Sequence, residues 1–412
     1  MITRRSVTLL SLAALTSACV PSSGGGIARG PSGETPPPRP VPNAGWDAWV
    51  DGYKQRAAGR GINQGVIDTA FRGAGFLPDV IEKDRNQTEF KRTTEDYLNI
   101  AASDERVSLG RQKYGAYSAT LNALQSRYGV DAQIIAAVWG LESFFGTRRG
   151  NVPVVSALST LAYEGRRGEF FEGQLTAALR ILQRGDTTAE RMVGSWAGAM
   201  GHTQFIPTSY LEFAVDYTGD GRADIWGEDP SDALASTAAY LSRSGWTRGL
   251  PWGMEVVLPS GFAPGLLGRG KGKGAADWQA LGVRSASGRA LAGGSIIAPG
   301  GVGGPAFLLT SNFNVILRYN NAENYALGVG HLSDRLAGGG ALAAAFGPDA
   351  NGLTKADRQE VQRLLTAKGF DTGGSDGVIG AKSKTAIEGF QASRGIAVTG
   401  VPSMELLRAL RG

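Results

Sequence analysis

The 412 residues include one cysteine and two histidines. One cysteine permits no disulfide within the chain, and neither His202 nor His331 falls in a Cys/His cluster or an HExxH spacing, which sets zinc enzymes and zinc folds aside. No basic helix and no Lys/Arg stripe interleaved with aromatics is present, so nucleic acid is a poor partner despite a formal charge of +5 and a pI near 9.3. That charge still favours an anionic partner such as a membrane surface or an acidic polymer. Charged residues at 19% and hydrophobic residues at 42% describe a soluble globular chain long enough for two or three domains. Glycine is the excess: many of the 61 lie in Gly24–Gly26, Gly261–Gly274 and Gly293–Gly304, where they read as linkers and irregular loops.

Residues 1–18 begin with Arg4 and Arg5, continue through a short apolar core (Val7 to Leu15) and end in small residues before Cys19. This pattern is an export signal, too short to span a bilayer as a mature helix. Leu15-Thr16-Ser17-Ala18-Cys19 resembles a bacterial lipobox with Thr16 in place of the usual Leu, which would make Cys19 a lipid anchor; the competing reading is a plain cleaved signal. Thr3-Arg4-Arg5-Ser6-Val7 also resembles a twin-arginine signal. Either route places the mature chain outside the cytoplasm, with periplasm and an outer-membrane anchor as the expectation. Residues 19–45 are rich in Pro, Gly and Ser and read as a tether.

From Trp46 the apolar spacing turns helical, with helices expected at Trp46–Ala57, Gln64–Ala70, Tyr97–Ala101 and Ser118–Arg127 and Pro78–Ile81 as a turn into the next helix. The run Ile134 to Gly146 is almost wholly apolar and carries a single ionisable side chain, Glu142. It reads as a buried helix, capped by Asp131 and ended by Gly146. A carboxyl held among Trp139, Leu141, Phe144 and Phe145 loses hydration, and its pKa rises. Such a group can hold a proton near neutral pH and deliver it to a leaving oxygen. The bland alternative is a hydrogen-bonded structural Glu. Gly253–Leu258 and Phe307–Leu317 read as strands.

Trp139-Gly140-Leu141-Glu142-Ser143, the run Gly194 to Tyr210 (GSWAGAMGHTQFIPTSY), and Arg318-Tyr319-Asn320 with Tyr325-Ala326 resemble, in order, three signatures of the membrane-bound lytic murein transglycosylase B family. The resemblance extends over residues 46–337. It implies a mainly α, lysozyme-like catalytic domain with a small β part, and makes Glu142 the catalytic residue. By the same similarity Ser195, Met200, Gln204, Tyr319 and Asn320 line the substrate cleft, and Tyr97 forms another part of its wall. The small residues Ala197, Gly198, Ala199 and Gly201 would let backbone approach a bulky sugar chain. The family's scheme uses one Glu. It protonates the bridging oxygen between N-acetylmuramic acid and N-acetylglucosamine, then takes the proton of the sugar's C6 hydroxyl, which closes onto C1 and leaves a 1,6-anhydro end. A second carboxylate supplied by folding, such as Glu164, Glu169 or Glu172, would instead make a hydrolytic muramidase.

Asp216-Tyr217-Thr218-Gly219-Asp220-Gly221-Arg222-Ala223-Asp224 resembles an EF-hand loop, with oxygen ligands at alternate positions and Gly at the sixth. Position twelve is Gly227 rather than Glu. In the family the closing carboxylate comes from an Asp-Pro-x-Asp-Ala stretch, here Asp229 to Ala233, which gives Asp216, Thr218, Asp220, Arg222 and Asp232 as the expected set for a structural Ca2+. The plain alternative is an acidic turn. No cofactor is expected in catalysis.

Residues 338–352 read as a linker and 353–412 as a separate three-helix unit. Gly369-Phe370-Asp371, Asp376-Gly377-Val378-Ile379-Gly380 and Thr385 to Gln391 resemble the peptidoglycan-binding domain-1 module, in which Asp376, Gly377, Gly380, Thr385 and Gln391 shape the turns or meet ligand. The resemblances together imply an exported enzyme that cuts peptidoglycan glycan strands and works beside cell-wall synthesis or lysis proteins. The reading from a different class is a non-catalytic peptidoglycan-binding lipoprotein.

Overall fold

A computed structural model describes residues 36–86 and 92–412. The export signal, Cys19 and most of the tether lie outside the described residues, and the end of the tether is not loose: Val41 N–H donates to the Phe76 carbonyl at 3.0 Å. No helix among the described residues is long and apolar enough to cross a membrane.

Six helices lead into the centre of the body: α1 (Ala44–Gly59), α2 (Gln64–Phe71), α3 (Pro78–Arg85), α4 (Thr94–Ala101), α5 (Asp104–Ala116) and α6 (Ser118–Tyr128). Short polar residues start four of them, with Asn43, Asn63, Thr93 and Ser103 each accepting a first-turn N–H. Pro78 occupies the first turn of α3, so the expected turn into a helix at Pro78–Ile81 is itself the helix's first turn. Helix α7 (Ala132–Ser143) is buried on every side from Ile134 onward, as its all-round apolar sequence requires. Asp131 stands at its N-cap without capping it; Gln125 Oε1 instead accepts from Ala132 N–H at 2.7 Å. The helix ends at Ser143, three residues before Gly146, because Phe144 and Phe145 turn left-handed (φ 51° and 56°).

Next come β1 (Val152–Pro153), α8 (Val154–Glu164), α9 (Gly168–Arg184), β2 (Val193–Gly194), which pairs antiparallel with β1, then α10 (Pro207–Phe213) and α11 (Ser231–Arg243). A four-stranded antiparallel sheet follows in the order β4-β3-β6-β5, built from β3 (Gly253–Val257), β4 (Arg284–Ser285), β5 (Ser295–Ile297) and β6 (Ala306–Leu309), with α12 (Ala275–Ala280) against it. Its own small core gathers Trp278, Met254, Val256, Phe262, Ile296 and Leu308. The Gly-rich stretches are therefore turns of a folded unit: Lys273 and Gly294 exchange backbone hydrogen bonds at 2.9 and 3.0 Å. The strand expected over Phe307–Leu317 stops at Leu309. Thr310 Oγ1 accepts from Asn312 N–H at 3.1 Å and starts α13 (Ser311–Tyr319), whose Phe313, Ile316 and Leu317 face inward at helical spacing. Helix α14 (Glu323–Leu336) then packs on α7 and α4. The body is thus mainly helical with a small β part, as expected.

Three further helices, α15 (Lys355–Ala367), α16 (Ala381–Ser393) and α17 (Met404–Arg411), close around Val361, Leu365, Ile387, Phe390 and Leu407. The 338–352 segment is held to the body rather than free: Ala343 and Ala344 N–H both donate to the Glu255 carboxylate on β3 at 2.9 Å. The C-terminal unit is fastened too. Arg358 on α15 bonds Glu95 and lies 3.5 Å from Asp96, both on α4, and donates to Asp349 at 2.9 Å and to Gly377 O at 2.8 Å. Beside it Lys355 Nζ donates to Asn99 Oδ1 at 2.7 Å.

Candidate active site

Glu142 sits in the last turn of α7, 5% exposed. Burial pushes its pKa up to about 8, only partly opposed by its hydrogen bond with Tyr325, so at neutral pH the carboxyl holds its proton. Tyr325 OH donates to Glu142 Oε1 at 2.6 Å, the only side-chain hydrogen bond to Glu142 among the described residues. Tyr325 is in the first turn of α14 and belongs to the third sequence signature, but its tie to Glu142 spans 183 positions of chain and is invisible to local pattern.

The backbone around Glu142 is strained. Among the described residues the non-glycine positions with positive φ are Phe144, Phe145 and Gln204 (52°), all on segments flanking the carboxyl. Such conformations persist only where surrounding contacts over-determine them. Here Ser143 Oγ donates to the His202 carbonyl and accepts from Gly146 N–H at 2.9 Å, locking the turn after α7 onto the 194–205 loop. Gly146 has φ 84°, and a Cβ there would lie 2.4 Å from His202 Nδ1, so only glycine fits.

His202 joins three segments. Trp139 Nε1–H donates to Nδ1 at 3.1 Å, which leaves Nε2–H to donate to the Gly227 carbonyl at 2.7 Å. Burial drops its pKa to about 4, and the neighbouring Arg149 pushes the same way, so the ring is neutral with one fixed tautomer. Arg149 in turn donates to the Trp226 and Gly227 carbonyls at 3.0 and 2.6 Å and pairs with Glu228 at 2.6 Å. Gly227 and Glu228 are therefore anchored to Arg149 and His202.

Of the other expected cleft residues, Tyr319 feels the charge of Glu142 and the rest are held mainly by backbone partners. Ser195 Oγ accepts from Ala197 and Ala199 N–H at 3.3 and 3.1 Å, holding the small-residue turn, and it does not touch Glu142. Gln204 Nε2 donates to the Arg149 and Gly201 carbonyls at 3.0 and 2.8 Å. Met200 is fully buried in the main core and offers no accessible wall. Tyr319 OH donates to Thr203 O at 2.7 Å; its pKa is raised well above the ordinary value, first by burial and then by Glu142. Asn320 caps α13 and is 8% exposed. Tyr97 is buried on α4 and acts electrostatically on Tyr325. The candidate second carboxylates stand elsewhere. Glu164 pairs with Arg85 at 2.8 Å, Glu172 pairs with Arg56 and Arg60 at 2.9 and 2.8 Å, and Glu169 is exposed on α9.

Among the described residues no three His, Cys, Asp or Glu side chains gather where they could share a metal, so Asp216, Asp220 and Asp232 of the expected calcium set do not converge as a group. The carboxylates serve the backbone instead: Asp216 accepts from Gly219 and Gly221 N–H at 2.6 and 2.9 Å, and Asp220 from Arg222 N–H at 2.9 Å. Asp232 accepts from Tyr217, Thr218 and Asp224 N–H at 2.9 to 3.0 Å. Thr218 Oγ1 bonds Asp216, and Arg222 is exposed. In the C-terminal unit, Asp376 accepts from Val378 N–H, Gln391 holds Thr399 and Gly400 N–H at 2.9 and 3.0 Å, and Gly377 turns with φ 83°. Gly380 caps α16, and Thr385 is exposed on that helix.

A helical body built around one buried, proton-bearing carboxyl is the framework of an acid catalyst. Comparison with known proteins specifies which one. Residues 45–334 match the transglycosylase SLT domain, and residues 354–410 match a putative peptidoglycan binding domain. The chain therefore belongs to the lytic murein transglycosylase family. It is 32% identical over 245 residues to membrane-bound lytic murein transglycosylase B of Escherichia coli (strain K12), a match covering 58% of this chain and 66% of the relative. SltB3 from Pseudomonas aeruginosa, solved in complex with NAG-NAM-pentapeptide, is 46% identical with a TM-score of 0.71, covering 90% of this chain and 100% of that one. The Escherichia coli lytic transglycosylase Slt35, solved in complex with calcium, is 27% identical with a TM-score of 0.60, covering 72% of this chain and 93% of that one.

Proposed function

We propose that the chain is a lytic transglycosylase that cleaves the β-1,4 bond between N-acetylmuramic acid and N-acetylglucosamine in peptidoglycan, with Glu142 as acid and then base. The observation that carries this reading is the proton-bearing, buried Glu142, whose one side-chain hydrogen bond among the described residues comes from Tyr325. Glu142 gives its proton to the bridging oxygen as the C1–O bond breaks, and N-acetylglucosamine leaves with a free 4-hydroxyl. The resulting carboxylate takes the proton of the muramic C6 hydroxyl as that oxygen bonds to C1. The 1,6-anhydro ring forms, Glu142 ends protonated, and no water is consumed.

Tyr325 orients the carboxyl and stabilises its anionic phase between the two proton transfers. Ser195, Gln204, Tyr319 and Asn320 shape the walls on which the sugar rests. Lytic transglycosylases need no catalytic cofactor. The backbone-capped carboxylates of the 216–232 loop support a fold that stands without calcium, so an ion there would be a staple only. A hydrolytic muramidase is disfavoured because Glu164 and Glu172 are engaged by Arg85, Arg56 and Arg60 rather than standing opposite Glu142 as hydrogen-bond partners. The C-terminal unit is proposed to hold the same polymer, and Cys19 to anchor the exported chain to the outer membrane.

Mass spectrometry of fragments released from purified peptidoglycan tests the reading. Anhydro ends from wild type and none from Glu142→Gln support it, whereas reducing ends from wild type would overturn it. Loss of labelled-acyl incorporation in Cys19→Ala tests the anchor.

A further inference from the structure

His202 touches the end of the catalytic helix at three points. Its Nδ1 accepts the indole N–H of Trp139 at 3.1 Å, its carbonyl accepts the Ser143 hydroxyl, and its ring fills the space that a side chain at Gly146 would need. Trp139 and Ser143 lie one turn apart on α7 with Glu142 between them in the chain, so His202 grips the turn that carries the acid. The rings of Tyr117 and Phe145 meet the same indole edge-on, both at 5.6 Å between centroids, and hold it toward the imidazole. On the other side of the imidazole, Nε2–H donates to the Gly227 carbonyl at 2.7 Å, and the Arg149 guanidinium stands 3.2 Å from the same nitrogen. The strained positions gather here too. Phe144 and Phe145 belong to the gripped turn, and Gln204 follows His202 closely in the chain, so the left-handed backbone beside Glu142 depends on contacts of this kind.

Both ring contacts require one protonation state. A neutral imidazole accepts on one nitrogen and donates from the other, whereas the imidazolium donates from both. A proton on Nδ1 would set two N–H groups against each other and leave the buried Trp139 N–H without its acceptor. Burial is the largest influence on the ring and drops its pKa to about 4; the Gly227 hydrogen bond and Glu228 favour the added proton, while Arg149 and Lys113 on α5 oppose it. Glu142, by contrast, begins and ends each proposed turnover protonated, so acid does not disarm it. We propose that His202 is a positioning residue for this reaction: its neutral ring, bonded to Trp139 and Gly227, holds the end of α7 so that Glu142 meets the bridging oxygen, and protonation of the ring releases that hold and slows the chemical step. This rests on the transglycosylase reading above. His202 acts through Trp139 and Ser143 and not on the sugar.

The test measures kcat and KM for anhydro-end release from about pH 3 to about pH 8 by wild type, His202→Phe, His202→Gln and His331→Gln, with melting curves marking where each protein is folded. Wild-type kcat should fall on the acid side with a midpoint of about 4, and KM should change little. His202→Phe fills the space without either bond and should lower kcat about 10- to 100-fold at neutral pH, the scale of a small misplacement of reacting groups. His202→Gln can accept from Trp139 and donate to Gly227 but takes up no proton, so it should recover most of what His202→Phe loses and should lack the acid fall. His331, the other histidine of the chain, is buried on α14 with a pKa also lowered to about 4. His331→Gln should keep the acid fall, and it assigns the two imidazole signals in NMR spectra. The His202 ring should then titrate at the midpoint of the wild-type kcat, a comparison that stands even if neither His202 variant folds. An acid fall unchanged in His202→Gln, a wild-type kcat that stays level while the His202 ring titrates, or a folded His202→Phe with wild-type kcat overturns the positioning role and leaves the enzyme's function standing. A wild type that releases no anhydro ends overturns both.

Discussion

Glu142 and Arg358 are buried to nearly the same degree, 5% and 4% exposed, but their surroundings differ. Arg358 is surrounded by Glu95, Asp96, Asp349 and two backbone carbonyls, so its charge and almost all of its donors are matched. Glu142 has one hydrogen bond and apolar walls, so its charge is refused and its proton retained. The first arrangement fixes architecture, because a matched ion cannot leave without stranding its partners. The second stores reactivity, because a mismatched group is ready to change protonation state.

The comparison breaks most sharply at Glu142. Replacement by Gln should lower anhydro-end release by about 10²–10⁴-fold, measured by product mass spectrometry. It should also make the protein more heat-stable at alkaline pH. The folded-state pKa near 8 lies above the unfolded value, so the folded state binds the proton more tightly, and wild-type stability declines as pH rises from about 4.5 through 8. Melting scans at pH 5 and pH 9 should therefore show the advantage of Glu142→Gln growing to several degrees, about 3 °C per kcal/mol for a chain of this size. An unchanged gap would mean the carboxyl is not buried in its neutral form.

Arg358→Ala should cost about 3–5 kcal/mol where the C-terminal unit meets α4, since three carboxylates lose their cation together. Denaturant unfolding and limited proteolysis of the 338–352 segment would register it, and proteolysis at the wild-type rate would count against a fastened unit. Tyr325→Phe sharpens the contrast by moving Glu142 further toward isolation. It should reduce kcat about tenfold. Because the Tyr325 hydrogen bond lowers the Glu142 pKa, its loss should shift the alkaline limb of the rate profile to higher pH. The smallest effect is expected from chelation. EDTA should leave the melting temperature and turnover unchanged, because backbone N–H groups already satisfy Asp216 and Asp232.

What was legible in sequence followed from local composition. An apolar run with one carboxyl identified both the α7 helix and the raised pKa of Glu142, and helical apolar spacing located α1, α2 and α6 closely. The strand expected at Gly253–Leu258 is β3, but where glycine interrupted the pattern the two short strands β4 and β5 were hidden, because they are two and three residues long and joined by turns. The Phe307–Leu317 stretch misled because its apolar residues continue across a Thr310 cap, where the period changes from strand to helix without a change in composition. Tyr325 stood inside a noted signature with no role, and it acquires meaning only from its partner Glu142 on a distant segment.

The fastening at Arg358 also limits how freely the pieces can be exchanged in evolution or by design. Many multidomain proteins can swap an appended unit because the junction is a bare string. Here the C-terminal unit brings a cation that is solvated by another domain's helix. Grafted onto a body lacking Glu95 and Asp96, it would present an exposed arginine and unsatisfied neighbours, while the donor body would keep an orphaned acidic pair. Sequence change on either side of this junction is therefore a joint matter, and a working transplant would have to carry α4 along with it.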